Sequence, residues 1–148
     1  ALFSEVADPG CAQDMMDQLK KPGEPQLLLH GDLHHWNILE DAQRGWMGID
    51  PKGVIGASCL DVGRYVNNAS VFKDHSDRNE KREILLETLR IFSDVLGESQ
   101  ERMFTGTYLD KITGSGWGLA DPPGEREMQS RESLEVIVEL GEEMEWLG

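Results

Sequence analysis

The amino-acid sequence predicts a single, mainly helical α+β domain over residues 1–148. Three observations carry that expectation. The front third of the chain breaks into short apolar runs separated by Pro, Gly and polar turns, which suits strands better than helices. From Leu60 onward apolar residues return at steps of three and four, the helical period. No internal repeat stands out, and 148 residues fit one domain able to bury roughly two thirds of its unfolded surface.

The elements follow in order. Ala12 to Lys20 reads as a short helix, stopped by Lys21-Pro22-Gly23-Glu24-Pro25, where two prolines flank a glycine. Gln26 to His30 is a compact apolar run, expected to be a buried strand. Asn37 to Leu39 and Trp46 to Ile49 flank the polar stretch Glu40 to Gly45 and read as a hairpin. Val62, Tyr65, Val66, Ala69 and Phe72 then form one helical face. After the polar stretch Lys73 to Asn79 comes the strongest helix, with Leu85, Leu89, Phe92 and Leu96 in one stripe and Gly97 as its C-terminal stop. Ser99 caps a further helix through Met103, Tyr108 and Ile112. Gly114-Ser115-Gly116 and Asp121-Pro122-Pro123-Gly124 predict a long connection. The last helix places Leu134, Ile137, Leu140 or Gly141, Met144 and Leu147 on one side, with Glu135, Glu139, Glu142, Glu143 and Glu145 on its solvated face.

Charge narrows the function. The sequence has 28 acidic and 14 basic residues, a formal charge of −14. Such a surface repels phosphate backbones, so nucleic acid is not an expected partner. The same field draws polycationic small molecules, although acidity also serves solubility alone. No run of 18 or more apolar residues exists, so no membrane span is expected. The opening residues ALFSEVADPG carry no basic region followed by an apolar stretch, the pattern of a secretory signal. Cys11 and Cys59 give neither a disulfide framework nor a metal pair, which suits the cytoplasm.

The chemistry concentrates between His30 and Asp61. An apolar strand running into Gly31-Asp32 presents a carboxylate at its tip, and Gly31 allows the tight turn. Five residues later Asn37 offers an amide oxygen, and Asp50 follows the next strand pair. One amide and one carboxylate suit Mg2+, which keeps its waters and is completed by substrate phosphates. Asp32, left free of the metal, can orient or receive the proton of an attacking hydroxyl. Together these residues are the minimum set for phosphoryl transfer to an alcohol.

The ordered set HGDLHHWN, then Asp50 in GIDPKG, matches the kinase pattern His-x-Asp-x-x-x-x-Asn followed by a metal-binding Asp. In its His-Gly-Asp-x-His form it resembles the aminoglycoside phosphotransferases. IDPKGVIGASCLDVG resembles, more narrowly, their streptomycin 6-kinase-like branch. The resemblance implies a kinase-like fold and an antibiotic-type kinase, with Asp32 as catalytic base, Asn37 and Asp50 as magnesium ligands, and His30 and Asp61 as braces of the catalytic loop. Asp61 is also placed to cap the helix it precedes. Lys52 either reaches a phosphate or is simply solvated. His34 and His35 either touch substrate or serve structural hydrogen bonds.

A kinase also needs a glycine-rich loop and a strand lysine. Too few residues precede the catalytic loop for a nucleotide-binding lobe. The resemblance therefore implies the C-terminal lobe only, with the N-terminal nucleotide-binding lobe absent and little turnover by this chain alone. Its partners are then a small hydroxyl acceptor of cationic character, together with the missing lobe or a second copy packed on the surface that lobe leaves. The acceptor is open, since relatives of this fold phosphorylate several alcohols. Asp110, Glu125 and Glu139 are not separable from surface acids. Two other readings compete. A non-catalytic lobe would act by binding a partner through an exposed apolar patch. A zinc or two-metal hydrolase would use His30, Asp32, His34, His35 and Asp50, but Gly31 and the preceding strand argue against a ligand-bearing helix, and further ligands are lacking.

Overall fold

The structure is a computed structural model that describes residues 6–68, 77–118 and 125–147. Among these residues the fold is α+β and mainly helical, with five α-helices and two small antiparallel sheets. Helix α1 (Pro9–Leu19) begins earlier than the apolar pattern suggests. Asp8 caps it by accepting from Gly10 N–H at 2.8 Å, and Pro9 occupies a first-turn position where no amide donor is needed.

Strand β1 (Leu27–Leu29) pairs antiparallel with β4 (Val54–Gly56), placing Leu28 opposite Ile55. The expectation of a buried strand fails here. Leu29 is buried, but Leu27 is 50% and Leu28 75% exposed, and Ile55 opposite Leu28 is open as well. A continuous apolar run signals burial on both faces only when something covers both faces. In this two-stranded ribbon only Leu29 and Gly56 are buried. The hairpin of β2 (Ile38–Asp41) and β3 (Gly45–Gly48) closes through Asp41, whose carboxylate accepts from the Gln43 and Arg44 amides.

Helix α2 (Cys59–Asn68) buries Cys59, Val62, Gly63 and Val66. Ala69 and Phe72 lie outside the described residues. Helix α3 (Arg78–Leu96) is capped by Asp77 and ends at Gly97 in the left-handed region. Its stripe is shorter than expected. Leu85 and Leu89 are fully buried and Phe92 packs on the core, whereas Leu96 in the last turn is 42% exposed.

Helix α4 (Gln100–Gly118) is the central element, packing against α1, α2, α3 and α5. Ser99 Oγ accepts from Arg102 N–H at 3.2 Å, and Met103, Phe104, Tyr108 and Leu109 are buried. Gly114-Ser115-Gly116 does not form the expected connection, since α4 continues through it. Each glycine costs a helix about 1 kcal/mol, but extending an already nucleated helix is far easier than starting one. The Asp121-Pro122-Pro123-Gly124 part of that connection lies outside the described residues.

Helix α5 (Glu125–Glu143) buries Leu134, Val136, Ile137 and Leu140. It stops before Met144, which is 40% exposed, so Met144 and Leu147 do not continue the helical stripe. Instead the chain folds back, with Trp146 and Leu147 donating to the Gly141 carbonyl and the Trp146 ring set 5.3 Å from Phe104. Three of the glutamates expected only on a solvated face pair with α3: Glu135 and Glu139 with Arg78, and Glu143 with Arg82. Among the described residues no helix is long and apolar enough to cross a membrane. Cys11 and Cys59 are both free thiols.

Candidate active site

The site is a turn built on the end of β1 and tied down from α2. Gly31 has φ +78°, where an L side chain is strained, and a Cβ there would collide with the Val54 side chain. The turn's backbone donors would otherwise be stranded beside the sheet. The Asp61 carboxylate satisfies two of them, accepting from His30 N–H at 2.7 Å and Gly31 N–H at 2.8 Å. Both Asp61 oxygens are thus spent on the turn. The His30 ring joins two further backbone groups: Nε2 lies 2.7 Å from the Ile49 carbonyl, and Nδ1 accepts from Asp32 N–H at 3.3 Å. His30 O accepts from Lys52 N–H at 2.7 Å, which holds the loop before β4 against the same turn.

Asp32 stands at the apex, partly buried. Its Oδ1 accepts from Arg64 Nε at 3.0 Å and lies 2.9 Å from a second Arg64 nitrogen. Its Oδ2 lies 3.8 Å from His34 Nε2. The Arg64 hydrogen bond outweighs the cost of burial and holds the Asp32 carboxyl below the usual carboxylate range, so it is ionised at neutral pH. Arg64 is the residue that the sequence reading missed. The available signal was its position three after Asp61, which puts both side chains on one face of α2.

Asn37 is buried, and its side-chain nitrogen donates to the Asp32 carbonyl at 3.0 Å and lies 3.3 Å from His34 Nε2. Its backbone carbonyl accepts from Ile49 N–H at 2.9 Å, bringing the start of the hairpin beside the Ile49-Asp50 segment. Asp50 is exposed, has φ +55°, and pairs with Lys52 Nζ at 2.9 Å. That hydrogen bond raises the Lys52 ammonium above its ordinary value. Left-handed backbone is tolerated by Asp, and such outliers gather at functional sites. His35 is exposed and leans on Trp36.

Beside the turn lies a cleft of about 190 Å³, lined among others by Leu29, Gly31, Arg64, Leu109, Asp110 and Thr113. Asp110 accepts from Asn67 Nδ2 at 2.9 Å, and burial pushes its carboxyl up. Among the described residues no group of three or more His, Cys, Asp and Glu side chains is placed to hold a metal ion, so the histidines do not assemble a hydrolase-type ligand set. Asn37 with Asp50 is a different donor set. One amide and one carboxylate fit a hard, water-retaining cation such as Mg2+.

The family described as aminoglycoside/hydroxyurea antibiotic resistance kinase matches residues 5–121, which include every residue of this site. The chain belongs to that family. The chain is also similar to the streptomycin 3''-kinase of Klebsiella pneumoniae, 37% identical over 67 residues, covering 45% of this chain and 25% of that protein. The chain thus spans about a quarter of the length of the curated relative it matches. No solved structure matches it. Membership in this kinase family gives the turn a chemical context: an ionised carboxylate with one oxygen held, on a turn that borders a small cleft.

Proposed function

We propose that this chain is the C-terminal catalytic lobe of a kinase-like phosphotransferase, a single domain that works with a nucleotide-binding lobe. It moves the γ-phosphate of ATP to a hydroxyl of an aminoglycoside or similar cationic small molecule in the cytoplasm. The observation that carries this reading is the Asp32 carboxylate, raised on a turn that Asp61 and His30 fix through four hydrogen bonds. The family match and the −14 charge, suited to a cationic acceptor, support it.

In this reading Asp32 accepts a hydrogen bond from the acceptor hydroxyl and aims its oxygen at the γ-phosphate. Its lowered pKa makes it a poor base for early proton removal. It is well suited to orienting the hydroxyl and taking the proton late, as a loose phosphoryl-transfer transition state requires. Asn37 and Asp50 would hold Mg2+, with Asp50 exchanging its exposed Lys52 contact for the cation. A bound magnesium ion supplies charge neutralisation across the transferring phosphates. Asp61 and His30 act by keeping the turn rigid, which matters because most of the acceleration in this chemistry is positioning and charge stabilisation.

The lobe assignment draws on a second observation. Leu28 and Ile55, paired across β1 and β4 on one face of the ribbon, are 75% and 66% exposed. An open apolar face of this kind suits an interface. We assign it to the nucleotide-binding lobe. The alternative occupant is a second copy of the chain, which sedimentation would reveal as a dimer.

Asp32→Ala in the full-length chain tests the mechanism. Activity on streptomycin should fall about 10²- to 10⁴-fold, the usual contribution of such a group, with ATP binding kept. Asn37→Ala and Asp50→Ala should instead raise the magnesium concentration needed. Full activity in Asp32→Ala would refute the assignment.

A further inference from the structure

Helix α2 meets the HGD turn with two side chains one helical turn apart. Residues at i and i+3 share a helix face, so Asp61 and Arg64 reach the same turn. Asp61 takes its backbone, through the His30 and Gly31 amides, and Arg64 takes its functional side chain. Arg64 approaches Asp32 with two nitrogens at 3.0 and 2.9 Å, and both converge on Oδ1. A carboxylate that rotates freely presents two equivalent oxygens. The Arg64 grip makes them unequal, because Oδ1 is spent while Oδ2 has only the 3.8 Å approach of His34.

The grip is delivered from a rigid element. Gly63, next to Arg64 in sequence, packs backbone to backbone on Gly106 of α4, and a Cβ at either position would overlap the facing chain. Arg64 therefore extends from a helix whose position is set by close packing. Arg64 and Asp110 also line the cleft beside the turn.

We propose that Arg64 is the positioning residue of this site, locking the Asp32 carboxylate so that Oδ2 alone is offered to the acceptor hydroxyl. The proposal rests on the reading of Asp32 given above. Arginine suits the task because its planar fork fixes two donors in one orientation, whereas a lysine ammonium is a point charge on a flexible stem.

The test is ATP-dependent phosphorylation of streptomycin by the full-length chain, measured for Arg64→Met, Arg64→Lys, Asp32→Asn and the Arg64→Met/Asp32→Asn pair. Arg64→Met should lower kcat by about 10- to 100-fold, the scale of misplacing a reacting group by up to an ångström. KM for ATP should stay within about two-fold, since the loss falls on the transition state. Arg64→Lys should recover part of kcat. Arg64→Met should cost nothing further on the Asp32→Asn background, because a residue acting through Asp32 has nothing left to position. A general packing defect would instead persist in the double variant, and that result overturns the proposal. A fully active Arg64→Met beside an inactive Asp32→Asn also overturns it while leaving the function standing. A fully active Asp32→Asn removes the catalytic role of Asp32 and the proposal together. If Arg64→Met does not fold, Arg64→Gln replaces it, with full activity again the overturning result.

Discussion

The α2–α4 contact sets the position of the site, and Gly63→Ala tests that dependence. Helix α2 carries Asp61 and Arg64, and its depth against α4 is fixed where Gly63 meets Gly106. A Cβ at residue 63 would lie 2.8 Å from Thr107 N and closer still to the Gly106 carbonyl. To restore ordinary contact the helices must part by about 1 Å, surrendering close-packed contacts along the seam. Overpacking costs about 1–3 kcal/mol, and the upper end applies because the obstructing atoms are backbone and cannot rotate aside. With a urea m-value of about 2 kcal/mol/M, a loss of about 3 kcal/mol lowers the midpoint by about 1.5 M at unchanged slope. The same shift draws Asp61 away from the turn, so the His30 and Gly31 amides should exchange faster with solvent. Gly114→Ala is the internal control. Gly114 lies in the same helix as Gly106, and a Cβ there meets nothing within 4 Å. It should therefore stabilise by about 0.5–1 kcal/mol through helix propensity alone. A Gly63→Ala cost below about 1 kcal/mol, or equal losses in both variants, would refute the close-packing argument.

Other substitutions probe the remaining contacts. Leu89 is fully buried, so Leu89→Ala should cost about 2–5 kcal/mol by urea denaturation, whereas Val95→Ala, at a 76% exposed position of the same helix, should cost under about 0.5 kcal/mol. Lys81 is 2% exposed and pairs with Glu132 at 2.6 Å between α3 and α5. Glu132→Gln strands a buried ammonium and should cost about 2 kcal/mol, tempered because Glu132 is a third exposed, while Lys81→Met should be close to neutral. Asp110 has its carboxyl raised by burial above the 3.8 of a free side chain. Its folded form thus favours the proton, so its contribution to stability is full below pH 3.8 and is lost as pH rises through the folded value. Asp110→Asn should accordingly raise Tm at neutral pH and give no gain near pH 3, and a gain at both would contradict the burial argument.

Most of the site was legible in the sequence because its groups are spaced along one short stretch. His30, Asp32 and Asn37 lie within eight residues, and Asp50 and Asp61 follow at intervals set by a hairpin and a helix start. Turn and capping chemistry is local, so Gly31, the Asp41 turn and the Gly97 stop were readable from their immediate neighbours. Helical period likewise gave the α3 stripe, since its core pair Leu85 and Leu89 lies on one face of a single element.

What the sequence left undecided were matters of distance between elements. Apolar composition states that a residue prefers burial, and only the packing of other elements decides whether it is granted. Leu27 and Leu28 stay open in a two-stranded ribbon that is buried only at Leu29 and Gly56, and Leu96 stays open in the last turn of α3. Gly63 and Gly106 lower helix propensity, and only the packed structure shows the backbones they bring together. The Asp32–Arg64 pair spans thirty-two positions and two elements, and no local rule joins them. The sequence by itself determined which chemical groups this protein owns and the turn that carries them. The tertiary structure decided which oxygen of Asp32 is held, because that depends on where one helix comes to rest against another.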